Sequence, residues 1–292
     1  MTEAAGALAP VGRGQWSDAW ARLRANRAAT AAAVLLGLIA LASILAPALS
    51  PRAIDAIDWS RVAQPPDWQA GYYFGTDDNG RDLFVRTLHG GRVSLALGIA
   101  ATLVSVVIGV LWGAVAGFVG GRVDAAMMRI VDILYALPFM FFVILLVVYF
   151  GRDAFLIFVA LGAVSWLDMA RIVRGQTLSL RRKEFIEAAH AAGVGVPRII
   201  LRHVVPNCLG PVVVYATLTV PSVILLESFL SFLGLGVQEP MTSWGVLIAD
   251  GARQIETSPW MLLFPATFLA ATLFCLNFIG DGLRDALDPR DR

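Results

Sequence analysis

Nucleotide hydrolysis needs a phosphate cradle of the Gly-Lys-Ser/Thr kind, where backbone amides and one lysine hold the β- and γ-phosphates. The chain has a single lysine, Lys183, set between Arg182 and Glu184, and so carries no such cradle. Any ATP consumed in its work is hydrolysed on another polypeptide. Metal chemistry needs clustered donors. His89, His190 and His203 are scattered, while Cys208 and Cys275 sit singly inside apolar runs, with neither a disulfide framework nor metal-ligand spacing. The run from Gly75 to Asp82 has the look of a calcium loop. Aligning Asp77, Asn79 and Gly80 with one leaves Gly75 at the first ligand position and Arg86 at the last, so the match fails. A turn capped by Asp and Asn, leading into a surface helix, is the better reading. No catalytic constellation emerges.

Three carboxylates lie in or beside apolar runs. Asp132 is one turn beyond Arg129 and Asp168 one turn before Arg171, a spacing that pairs opposite charges along one helix. Glu227 stands alone, about 23 residues into its apolar run and on the order of 35 Å from the run's inner end. Two roles stay open for it: a hydrogen bond to a neighbouring helix, or a place on a translocation pathway.

The stretch 171–207 is the most informative. Helix-forming residues continue to Ala192, Gly193 is suited to the left-handed position that ends a helix, and a second helix restarts near Pro197. The expected product is two short helices with an abrupt bend. Small residues at Ala188, Ala189, Ala191 and Ala192 permit close docking, and Glu187 supplies a charge. A partner-docking element and a solvated helical hairpin both fit that pattern.

The elements that must position these residues are membrane spans. Of 292 residues, 58% are hydrophobic and 15% charged, with a mean hydropathy of +0.70. A soluble surface cannot be covered at that composition. Six stretches approach the roughly 20 apolar residues that cross a bilayer: Ala28–Leu49, Val93–Val119, Ile133–Phe150, Ala154–Ala170, Val204–Leu233 and Pro259–Gly280. The fold expected is therefore an all-α polytopic membrane protein with six transmembrane helices. Residues 1–27 form a cytoplasmic tail, 28–49 the first span, 50–92 an outer loop, 93–280 the core and 281–292 a second cytoplasmic tail. With the N-terminus inside, sixteen Arg and Lys fall on the cytoplasmic side and seven outside, which selects both termini as cytoplasmic.

Smaller features follow. Trp16, Ala19, Trp20 and Leu23 share a helical face opposed by Arg22 and Arg24, as in a helix lying on the membrane surface. Gly109, Gly113, Gly117 and Gly121 recur every four residues, a stripe that lets another helix approach. Pro138, Pro211 and Pro221 mark kinks. Ser258 and Pro259 open the last span as N-cap and first helical residue. The outer segment 234–258, with Trp244 and Ile248, is expected to hold a short amphipathic helix at the interface.

Glu187-Ala188-Ala189, with Gly193 after three further residues and Pro206 beyond, resembles the EAA loop of ABC importer permeases. His203-Val204-Val205-Pro206 stands where the general pattern has Ile-x-Leu-Pro, and the histidine narrows the resemblance to the peptide/opine/nickel branch. The runs 75–82, 228–236 and 280–289 are similar to signatures of that branch, closest to its C-type membrane subunits. The resemblance covers nearly everything from Tyr73 to Arg292. It implies a type I ABC importer transmembrane domain, non-catalytic, in the bacterial cytoplasmic (inner) membrane. The implied partners are a homologous second permease subunit, one or two ATPase subunits, a periplasmic or lipid-anchored peptide-binding protein, membrane lipids and an oligopeptide substrate, with no nucleic acid. It implies no cofactor on this chain, with ATP and Mg on the ATPase subunits. Glu187, Ala188, Ala189 and Gly193 match the coupling positions that dock on an ATPase. Within the branch, dipeptides, glutathione, opines and nickel are alternative substrates. A proton-coupled carrier and a purely structural subunit are the readings from other classes.

Overall fold

The computed structural model describes residues 15–150 and 154–287. Helix follows helix through these residues, and three isolated bridges, Ile57 to Arg81, Asp67 to Tyr72 and Thr76 to Asp82, are the β-structure among them. Helix α1 (Gln15–Ala25) meets α2 (Arg27–Leu49) at Asn26. The Asn26 side chain accepts from the amides of Ala28 and Ala29 at 3.1 and 3.2 Å, satisfying two donors that a helix start leaves open. The faces of α1 differ from the expectation. Ala19 is buried and Leu23 packs beside Gly282, while Trp16 and Trp20 are exposed. The Arg24 guanidinium lies 4.7 Å from the Trp20 ring centroid. The two residues are one turn apart, so Arg24 shares the tryptophan's side of the helix instead of opposing it.

Helix α3 (Leu83–Val119) begins ten residues before the expected span. Arg86 reads as loop by its charge, yet it is buried and lies 3.4 Å from Asp77, so the ion is paired and the helix can start earlier. The polar turn 75–82 thus leads into a spanning helix and not a surface one. Asp82 caps α3, accepting from Phe84 N at 2.9 Å. Helices α4 (Gly121–Ala136) and α5 (Phe139–Phe150) divide the expected third span. Leu137 is extended, as a residue before proline prefers, so Pro138 ends one helix and begins the next where a kink was expected. Helix α6 (Ala154–Leu180) continues ten residues past the expected fourth span and takes in Asp168, Arg171 and Arg174.

Helix α7 (Glu184–Ala191) and the short α8 (Val196–Ile199) follow. A π-turn, Ile200–Val204, joins α8 to α9 (Val205–Phe232), which holds Pro211 and Pro221. Helix α10 (Trp244–Arg253) is the short helix expected within 234–258, and it turns its tryptophan inward. Trp244 is fully enclosed and its indole N–H donates to the Thr87 carbonyl at 2.9 Å, so α10 is packed inside against α3. Helix α11 (Trp260–Leu287) runs seven residues beyond Gly280. Among the described residues, four helical stretches are long and apolar enough to cross a membrane: Arg27–Ala46, Leu83–Val119, Val196–Phe232 and Trp260–Leu287. The other two expected spans fall on the broken α4–α5 pair and on the partly charged α6.

The seam between α3 and α6 is built on glycine. A Cβ on Gly109 would lie 2.6 Å from Met169 Cβ, one on Gly113 would strike the Ala170 carbonyl oxygen, and one on Gly117 would lie 2.8 Å from the Arg174 carbonyl oxygen. Dispersion is short-ranged, so backbones this close gain contact that larger residues would prevent. Gly121 leaves the stripe. Its φ of +58°, after +72° at Gly120, turns the chain into α4.

Candidate functional site

At the end of the bundle where α3 stops and α9 begins, α7 is held by one face. Ile186 is 1% exposed and packs with Phe118, Val173 and Ile199, joining α7 to the core of α3, α6 and α8. The His190 ring stacks on Phe118, with centroids 5.8 Å apart and planes 14° from parallel. The helix ends in a Schellman turn: Val194 N donates to Ala189 O at 3.1 Å and Gly193 N to His190 O at 3.0 Å. Gly193 has φ +75°, the left-handed conformation expected of it. After the turn Pro197 sits in the first turn of α8.

The other face of α7 is uncovered. Glu187, Ala188 and Gly193 are exposed, Ala189 is half-buried, and an added Cβ at Gly193 would meet nothing within 4 Å. Among the described residues no hydrogen bond or ion pair engages the Glu187 side chain. Phe185, 42% exposed, extends the surface. The four candidate coupling residues therefore lie on one rigid helix-and-turn, with the acid and the bend both open to a partner.

Behind it, charges that the sequence pairs along single helices pair between helices instead. Asp132 accepts from Arg171 at 2.9 Å, not from Arg129. Asp168 accepts from the Tyr135 hydroxyl at 3.0 Å. Arg174 grips Asp124 with two bonds of 2.6 Å, and that guanidinium holds the Asp124 carboxyl below the usual aspartate range. Arginine's planar fork favours this two-point geometry. It fixes the end of α6, and so the base of α7, against α4.

Glu227 lies at the opposite end and is completely enclosed. One carboxylate oxygen, Oε1, accepts from Ser231 Oγ at 2.8 Å and Ser243 Oγ at 2.7 Å. Ser243 is also the N-cap of α10, accepting from Val246 N at 3.2 Å. In this conformation Glu227 is an enclosed contact between α9 and the N-cap of α10.

One polar cluster was not foreseen. Asp77 binds Arg81 at 2.7 Å and Arg81 binds Glu239 at 2.6 Å, with Arg86 enclosed beneath them. This cluster ties the turn before α3 to the segment before α10, and Arg81 holds the Glu239 carboxyl below its ordinary value. The spacing of Asp77 and Arg81 was visible in the sequence. Glu239, 158 residues further on, was not. Among the described residues no group of three or more His, Cys, Asp or Glu is placed to hold a metal ion.

Both the sequence and the pattern of helices have counterparts among known proteins. The family described as the binding-protein-dependent transport system inner membrane component matches residues 109–292. The chain belongs to that family. Ahead of it, the N-terminal transmembrane domain of oligopeptide transport permease C matches residues 14–66 of this permease chain. The oligopeptide transport system permease protein OppC of Escherichia coli K12 is 64% identical over 281 residues, covering 96% of this chain and 93% of that one. OppC of Bacillus subtilis is 45% identical over 277 residues, covering 95% and 90%. The methionine ABC transporter MetNI, in an inward-facing conformation, has a chain that superposes with a TM-score of 0.55 at 20% identity, covering 70% of this chain and 96% of that one. The permease is thus a multi-pass inner-membrane protein with the all-α fold of an ABC importer's transmembrane subunit.

Proposed function

We propose that this permease forms one wall of the translocation pathway of an ATP-driven oligopeptide importer. The observation that carries the reading is the α7 turn: an acid and a glycine bend held out from a buried anchor, in a chain 64% identical to a relative named as an oligopeptide permease. Ala188 and Ala189 allow a partner to approach closely, Glu187 offers a charge-assisted hydrogen bond to a basic residue, and Gly193 sets the angle of the docked helix. The partner is an ATPase subunit, one kind or two, that binds ATP and Mg. A homologous second permease subunit supplies the opposite wall, and a periplasmic or lipid-anchored binding protein delivers the peptide. The α7 end is assigned to the cytoplasm together with both termini, an orientation supported by sixteen basic residues on that side against seven on the other.

The test is reconstitution in vesicles. With the second permease, the ATPases and the binding protein present, a labelled oligopeptide should accumulate only when ATP is supplied on the α7 side. Accumulation by this chain alone under a proton gradient would replace the reading with that of a proton-coupled carrier.

A further inference from the structure

Helix α9 is apolar in composition and α6 is apolar up to Leu167, yet between them lies a polar cavity of about 210 Å³. Its polar lining is Ser165 and Asp168 from α6 and Tyr215, Thr219 and Ser222 from α9. On each helix these residues recur at three- or four-residue intervals and so share one face. A second cavity of about 520 Å³ continues from it along the same two helices toward α7. The two have Tyr215 and Leu218 in common, and the second adds Gln176 and Arg284. Together they make a trough running from the middle of α9 to the α7 end of the bundle.

Asp168 is the chemically distinctive group in it. Arg171, one turn along, is its natural counter-ion by spacing, but Arg171 is bound to Asp132 at 2.9 Å and its guanidinium lies over the Tyr135 ring. Asp168 accepts instead from a neutral phenol, Tyr135, at 3.0 Å, and Tyr215 faces it across the cavity. Among the described residues no cation pairs with it. A carboxylate within an apolar span is costly to keep and is normally balanced by a cation. Here no described cation is in contact with the carboxylate, and a cavity lies beside it.

We infer that Asp168 is a subsite for the α-ammonium of a peptide in transit, with Tyr135 and Tyr215 orienting the carboxylate toward it. The inference rests on the oligopeptide reading and deepens it. Peptides of different sequence share an α-ammonium, so one fixed carboxylate in an otherwise hydroxyl-lined trough can guide many substrates without reading their side chains.

The test uses the assembled complex in vesicles with its binding protein, following peptide uptake and ATP hydrolysis together. Asp168→Asn should lower peptide carried per ATP by about tenfold, the scale of one lost charge-assisted hydrogen bond, while stimulation of ATPase activity by loaded binding protein stays within about twofold of wild type. Asp168→Glu should restore much of the uptake. Unchanged uptake per ATP in Asp168→Asn would overturn the subsite. A purely structural role predicts instead that uptake and ATPase stimulation fall together, which would overturn it as well. A second measurement does not depend on replacing Asp168. Ser222→Cys places a thiol on the trough wall, where the Ser222 hydroxyl donates to the Leu218 carbonyl of its own helix. Peptide supplied during turnover should slow its reaction with a cationic thiol reagent several-fold. Equal rates with and without peptide would count against the trough. Failure of the wild-type complex to take up peptide at all would overturn the oligopeptide reading itself, and is seen separately from either variant.

Discussion

Single residues here owe their roles to what surrounds them more than to their type. Glu227 is isolated in the sequence, which leaves both a helix contact and a pathway role open. Its surroundings come from Ser231, one turn away, and Ser243, on the far side of a loop. The first partner was legible in the sequence and the second was not. Replacing the acid by Ala leaves both hydroxyls and the α10 cap without their shared acceptor. We expect Glu227→Ala to cost about 1–3 kcal/mol, seen as a lower unfolding temperature of the purified complex, whereas Glu227→Gln, which keeps an acceptor, should cost less. Equal unfolding temperatures for wild type and Glu227→Ala would show that the contact contributes nothing. Gly193 is the opposite case. Its left-handed conformation was legible because few residues other than glycine adopt it, and the preceding alanine-rich helix has to end somewhere. Asp168 was misread because spacing along one helix suggested Arg171, and a salt bridge from Asp132 on α4 claimed that arginine first.

At the scale of elements, hydrophobic runs located the helices but not their ends. Charge bounds the expected spans at Arg92 and Arg171, yet α3 and α6 run through both, and Arg86 and Arg171 within them are paired with acids from other segments. Pro138 was read as a kink, but the extended residue ahead of it breaks the helix outright. The glycine interval was more dependable, because a small residue every fourth position has one main structural use. It predicts the cost of filling the seam. A Cβ on Gly113 meets the backbone carbonyl of Ala170, which cannot rotate away as a side chain can. Gly113→Val is expected to destabilise by about 1–3 kcal/mol or more, read as loss of folded protein and a lower unfolding temperature in detergent. Gly37→Ala, on α2 with open space around it, is the control and should change neither. Unaltered stability of Gly113→Val would mean that α3 and α6 do not approach as described.

For the whole molecule, the proposal turns on which end faces the cytoplasm and what docks there. Ser60 and Ser179 are exposed, at opposite ends of the helical bundle, while the native Cys208 and Cys275 are buried. In sealed cells an impermeant thiol reagent should label Ser60→Cys and spare Ser179→Cys until the membrane is opened. The reverse pattern would invert the topology. The central claim is that the α7 turn transmits ATPase motion to the membrane helices, and Glu187 and Gly193 carry it. Neither position is packed inside the fold, since both are exposed. Gly193→Val forces a β-branched residue into a left-handed bend at a local cost of about 1–2 kcal/mol, but it also swings the docking helix, so its effect on coupling should exceed that strain. The most direct measurement is ATPase activity stimulated by peptide-loaded binding protein, with recovery of the ATPase subunits in the purified complex. The expected result is weakened ATPase recovery for Glu187→Ala and abolished stimulation for Gly193→Val, with the permease still inserted in the membrane. Full stimulation and normal subunit recovery in both variants would place the coupling site elsewhere.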